Sequence, residues 1–98
     1  MHFDDFKATL SATAPDAHIN ELLQALWWTA NDDWDRAHNI VKTKSSNDAY
    51  WIHAHLHRQE GDLSHSRYWY SRAKRVMPDS SCGAEWEAIT RELLNKES

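Results

Sequence analysis

Glycine and proline are scarce in this sequence, two of each among 98 residues. A β-sandwich or barrel needs many tight turns, and those turns need these residues, so the shortage predicts an all-α chain. Cysteine is scarcer still: Cys82 stands alone. That excludes an internal disulfide and any zinc site built from several thiolates, and it fits a reducing, cytoplasmic setting. No apolar run approaches the roughly 18 residues that span a bilayer, and Asp4 and Asp5 stand where a signal peptide carries basic residues. The expectation is a soluble protein with no membrane partner. An excess of positive charge is missing too: 11 Lys and Arg against 15 Asp and Glu leave a net charge of −4. A general nucleic-acid binder displaces counterions from phosphate with a basic surface, so a nucleic-acid partner is not expected. What the chain does have is hydrophobic residues at 41%, with six tryptophans among them. That rules out disorder, and the length allows one compact domain spanning residues 1–98.

Spacing then divides the chain into helices. Phe3, Phe6 and Leu10 recur at helical intervals behind two aspartates. Thr13, Pro15 and Asp16 form a start signal for a second helix carrying Ile19, Leu22, Leu23, Leu26, Trp27 and Ala30. Asn31, Asp32 and Asp33 break it and cap a third, marked by Trp34, Ala37, Ile40 and Val41. A connection this short makes the two antiparallel. Ser46 or Asn47 caps a fourth helix through Gln59, whose apolar residues cover more than one face and imply burial on two sides. Gly61 ends it, Asp62 or Ser64 starts a fifth running to Met77 before Pro78, and Trp86, Ile89, Leu93 and Leu94 define a last helix. The expected inner row of the fifth is Leu63, Ser66, Tyr70, Ala73 and Met77.

A repeat underlies this order. Ala25, Trp28, Asp32 and Ala37 align at a constant offset with Ala54, His57, Gly61 and Ser66: small residue, bulky ring, turn residue, small residue. Small side chains let two antiparallel axes approach while the ring fills the open end. The predicted unit is a helical hairpin used twice, over about 16–44 and 47–78, in a compact domain of five to six helices. The segment YWIHAHLHRQEGDLSHSRYWYSRAKRVMP resembles a tetratricopeptide unit, with Ala54 at the crossing, Gly61 in the turn, Tyr70 and Ala73 on the second helix and Pro78 closing it. ALWWTANDDWDRAHNIV resembles a second, degenerate unit. The DWDRAH, HLHRQEGD and RYWYSRA phrases together are also similar to small uncharacterised bacterial proteins. His53, His57, Ser66 and Asp32 depart from the tetratricopeptide pattern, and the repeat is shorter than the usual period of about 34, so a compact bundle and an open array both remain open.

The resemblance implies a partner-binding face on the first helix of each hairpin. On the second hairpin that row is Asp48, Trp51, His55, Arg58 and Gln59, with Trp51 as anchor, His55 as hydrogen-bonding ring and Arg58 as carboxylate clamp. On the first it is Ile19, Leu22, Leu26 and Thr29, which is apolar enough that the final helix could cover it, or that the protein could pair with a second copy. The functional expectation is a noncatalytic scaffold for a protein or peptide. The alternative is a small metal-binding protein using His53 and His57, one helical turn apart, with Glu60 or His65 as a third ligand and His55 facing elsewhere. Against it stands a structural role for the same rings, bonded to Tyr70, a serine or backbone. The Arg67–Arg75 segment mixes Arg67, Arg72, Lys74 and Arg75 with Tyr68, Trp69 and Tyr70. This mixture resembles one that stacks on bases or clasps a phosphate, but in an acidic chain it reads as a solvated basic flank paired to neighbouring acids rather than as a nucleic-acid groove, with an acidic peptide partner left open. Ser64, Ser66 and His65 are merely neighbours in sequence, and Cys82 has no assignable base. No catalytic residue and no cofactor is expected.

Overall fold

The computed structural model describes residues 1–97. Among the described residues six α-helices occur in order: α1 (Phe3–Ala8), continued by a 3-10 turn over Thr9–Ser11, α2 (Glu21–Ala30), α3 (Trp34–Val41), α4 (Asn47–Gln59), α5 (Leu63–Arg72) and α6 (Cys82–Lys96). No strand occurs among the described residues. The fold is all-α, as composition and periodicity predict.

Side-chain caps set most of the helix starts. Asn20, Asp33, Ser46, Asp62 and Ser81 each accept a hydrogen bond from a backbone N–H in the first turn of α2 to α6, satisfying donors that have no partner inside the helix. The start of α2 differs from the expectation at Thr13 and Pro15. Asp16 uses its carboxylate to bind the His18 N–H in a local turn, at 2.9 Å, so the chain reverses there and Asn20 becomes the cap. The Gln24 side chain then donates to the Ile19 carbonyl at 2.9 Å, fixing the approach.

Helix ends carry the repeat. Asp32 and Gly61 both adopt positive φ, 61° and 85°. The next residue in each case, Asp33 or Asp62, donates its N–H back across the turn to Trp28 or His57 and then caps the helix beyond the turn. The two hairpin bends are therefore the same structure, made by residues that the offset aligns. Lys74, with φ 60°, and Arg75, which donates to Tyr70, close α5 in the same way. That bend ends α5 at Arg72, short of the expected Met77. Lys74 has a Cβ in a backbone region that favours glycine, and the Arg75 contacts to the Tyr70 carbonyl and the Trp51 ring hold the bend against that preference.

The hairpins nest at small residues. Ala25, Ala37, Ala54 and Ser66 are fully buried, and Ser66 Oγ donates to the Ala54 carbonyl at 2.9 Å. Phe6, Leu23, Leu26, Trp27, Val41, Ile52, Leu56, Tyr70 and Ile89 are among the other core residues, whereas Leu63 of the expected inner row is exposed. Indole N–H groups tie elements together: Trp27 to Thr9, Trp34 to the Leu56 carbonyl at 2.7 Å and Trp86 to the Leu26 carbonyl at 2.8 Å. Among the described residues no helix is long and apolar enough to cross a membrane.

Gly61 has open space where a Cβ would stand, so the cost of a side chain there is conformational. We expect Gly61→Ala to lower stability by about 1 kcal/mol. Lys74→Gly should raise it by a smaller amount, because relief of the left-handed backbone is partly offset by the entropy of an added glycine. Urea denaturation of both variants reads the two opposite signs.

Candidate functional site

Two clusters of polar and aromatic side chains lie on opposite faces of α4. Their separation comes from helical pitch: His53 and His57 fall on one face, and Trp51, His55 and Arg58 on the other.

On the Trp51 face, the target is a carboxylate. Glu85, in the first turn of α6, is 3% exposed. His55 Nδ1 lies 2.6 Å from its Oε1, Arg58 Nη1 donates to Oε1 at 3.0 Å, and Trp51 Nε1 donates to Oε2 at 3.2 Å. The Tyr70 hydroxyl, from α5, sits 2.7 Å from Oε1 and 2.5 Å from Oε2. A carboxylate only accepts, so Nδ1 carries the His55 proton, and Nε2 on the far side of that buried ring has no hydrogen-bond partner among the described residues. Arg58 reaches further, donating to the Ser80 carbonyl just before α6. Burial pushes the Glu85 carboxyl up, but the hydrogen bonds from His55, Tyr70 and Arg58 outweigh it and hold it below its ordinary value. Burial and the same carboxylate push the Tyr70 phenol up, so that it stays a donor.

The row expected to face a partner thus faces α6. Trp51 and His55 are buried, Arg58 is committed to Glu85, and Asp48 pairs with Lys96 of α6 at 2.8 Å. Gln59 is exposed and lines a separate cavity of about 510 Å³ with Thr29, Asp32, Trp34, Glu60 and Cys82. The anchor, ring and clamp assembled from Trp51, His55 and Arg58 do hold a carboxylate, and it comes from the same chain. Beside it, Arg75 stacks on Trp51, 3.4 Å from the ring centroid, and pairs with Glu92 at 2.6 Å. Trp51 and Arg75 side a cavity of about 360 Å³ that also touches Lys74, Pro78 and Ser80.

On the opposite face, four imidazoles line up. His38 comes from α3, His53 and His57 from α4, and His65 from α5. His38 Nε2 lies 3.1 Å from His53 Nε2, and one ring nitrogen from each of His38, His53 and His57 falls within 4.8 Å of the others. Trp34 stacks on His38 at 4.6 Å, Trp69 stacks on His53 at 4.0 Å, and His57 lies over His53 at 5.0 Å. Glu60 Oε1 holds His57 Nδ1 at 2.7 Å, and Asp62 Oδ2 holds His65 Nδ1 at 2.6 Å. Burial, then the neighbouring imidazoles, lower the His53 pKa to about 4, and burial with His57 and Lys42 lowers that of His38. Both shifts favour the uncharged form of the ring. The third ring beside His53 and His57 is therefore His38, where spacing along the sequence points to Glu60 or His65. Only the register of Ala37 at the hairpin crossing hints that the next residue turns toward α4.

Next to this face the basic segment divides. Arg75 pairs with an acid as expected for a solvated flank, but Arg72 sits among rings, its guanidinium 5.0 Å from the Tyr50 centroid, 5.7 Å from Tyr68 and 5.6 Å from Trp69.

No protein-family model, no curated protein and no solved structure matches this chain.

The Glu85 hub makes a stability prediction with a definite sign. A carboxyl whose folded pKa lies below its unfolded value adds stability above the unfolded pKa and loses it as pH falls through the folded one. Stability should therefore decline with acid below roughly pH 4.5. Glu85→Gln should flatten that acid limb. Glu85→Ala strands four donors and should cost about 3–5 kcal/mol at neutral pH. Denaturant melts across pH check both.

Proposed function

We propose that the protein is a noncatalytic, tetratricopeptide-like scaffold of the cytoplasm that captures an acidic peptide or protein segment. Because the inner row of α4 is taken up by α6, the seat for the partner is the outer face of α4 and α5, at Tyr50, Tyr68, Trp69 and Arg72. The observation that carries it is the contrast among the arginines. Arg36, Arg58, Arg75 and Arg91 each pair with a carboxylate of the chain, whereas Arg72 has three aromatic rings and two phenol oxygens and no carboxylate among the described residues.

Physical chemistry favours an acidic partner there. The rings hold the guanidinium in one orientation, which removes part of the entropy cost of a bidentate contact to a carboxylate. Arg67 on the same helix adds a second positive charge that pairs with no acid among the described residues. Tyrosine, tryptophan and arginine are also the residue types that dominate binding energy at protein interfaces. Tyr68 is 53% exposed, so the rings are within reach of a partner.

A fluorescent peptide rich in Glu with a few aliphatic residues, titrated by anisotropy, tests the reading. Wild type should bind it, more weakly as salt is raised. Arg72→Ala should weaken capture roughly thirtyfold, equivalent to about 2 kcal/mol, with helicity unchanged because the side chain is exposed. Equal affinity for a lysine-rich peptide, or no effect of the substitution, would overturn it. Sedimentation of wild type and variant shows whether a second copy of the chain supplies the acid.

A further inference from the structure

We propose that His38, His53 and His57 form a binding site for a divalent transition-metal ion of the zinc class, with Glu60 as the outer group that orients His57. The ligands lie at the crossing between the two hairpins, and the site shares only Trp69, which stacks on His53, with the proposed peptide seat at Arg72.

The donor set and its spacing argue for an ion. Imidazole nitrogen suits zinc, copper and nickel, and a zinc–nitrogen bond of about 2.0–2.1 Å puts the nitrogens of a tetrahedral site about 3.3 Å apart. His38 Nε2 and His53 Nε2 are already 3.1 Å apart. With all three nitrogens within 4.8 Å of one another, closing the set needs movement of about 1.5 Å at the tip of a half-buried side chain. Without an ion, the contact between two Nε2 atoms forces one ring to donate and the other to accept. An ion would replace that hydrogen bond by taking a lone pair from both nitrogens.

The surroundings are those of a prepared site. Metal-ligating histidines characteristically give their second nitrogen to a carboxylate, which fixes tautomer and orientation. His57 does this through Nδ1 with Glu60, leaving Nε2 as its ligand atom. Two tryptophans hold the other rings in plane: Trp34, itself anchored to the Leu56 carbonyl, lies on His38, and Trp69 lies on His53. Three protein ligands leave one tetrahedral position for water or for a group on another molecule.

A second candidate set, His57 with Asp62 and His65, shares one ring with the first. It is the weaker of the two. Asp62 is occupied as the N-cap of α5 and in a hydrogen bond with His65 Nδ1, and the His65 side chain is 66% exposed. The first set has ligands from two hairpins, so an ion there staples α3 to α4. Any ligand that binds only the folded state stabilises it, so metal should raise the melting temperature.

Titration of untagged protein with zinc chloride, by calorimetry and by thermal melting, tests the site, and cobalt substitution reports its geometry by visible absorption. Wild type should take up one ion per chain, melt higher with it and give the intense bands of a tetrahedral cobalt site. His38→Gln and His57→Gln alter half-buried rings and should leave the helical circular dichroism intact while weakening zinc at least about tenfold. Glu60→Gln should weaken it by about tenfold, and His65→Ala should leave it unchanged. No uptake by folded wild type, or loss of zinc in His65→Ala with retention in His38→Gln, would overturn the proposal.

Discussion

The placement of α6 depends on one buried carboxylate. Glu85 gathers donors from α4 and α5, and Arg58 extends the contact to the loop before α6. Hydrophobic contacts from Ile89, Leu93 and Leu94 would hold α6 against the hairpins in several nearby registers, because burial of apolar area is not directional. The carboxylate removes that freedom. A shift of one residue would rotate it by about 100° and leave an indole, an imidazole, a guanidinium and a phenol unsatisfied in the core. A buried ionic cluster contributes little net stability against a well-packed apolar alternative, so its value here lies in choosing one arrangement.

That constraint explains the contrast between the two sides of α4. On the α6 side every polar group of the row is committed within the chain, apart from Nε2 of His55 and the exposed Gln59. On the α3 and α5 side, the ring nitrogens of His38 and His53 face one another and Arg72 faces only aromatic groups. The row expected to line a groove is covered by the last helix.

Much of the architecture is legible in the sequence because it rests on local signals. The hairpin bends come from Asp32, Asp33, Gly61 and Asp62, where a left-handed residue and a capping carboxylate adjoin in sequence. The close crossings come from Ala25, Ala54 and Ser66. Where two local signals compete, prediction fails: Thr13 and Pro15 make a sound helix start, yet Asp16 spends its carboxylate on its own turn. The end of α5 escapes for a different reason, since nothing in the lysine at 74 announces a left-handed backbone. The sites are legible in half. Trp51, His55 and Arg58 read as anchor, hydrogen-bonding ring and carboxylate clamp of a partner face, but Glu85 is not singled out by any sequence signal, and its burial depends on where the loop over 73–81 delivers it. His38 is missed because its partners lie across a hairpin crossing, where spacing along the chain says nothing about which ring meets which.

The alternation in HAHLH is what makes a thin helix serve two clusters. Residues two apart on a helix differ by about 200° in direction, so His55 must leave the side that His53 and His57 share. Ala54 between them is the small residue at which α5 packs, and Leu56 offers its carbonyl to Trp34 while its side chain fills the core. Every residue from Trp51 to Leu56 is therefore buried although three of the six are aromatic or ionisable in ways that a core usually excludes. The cost of burying those groups is met on one side by Glu85 and on the other by stacking against Trp69 and contact with His38. The histidines on both faces are matched by the partners they meet, and on the His38 side those partners are themselves ligand-type nitrogens.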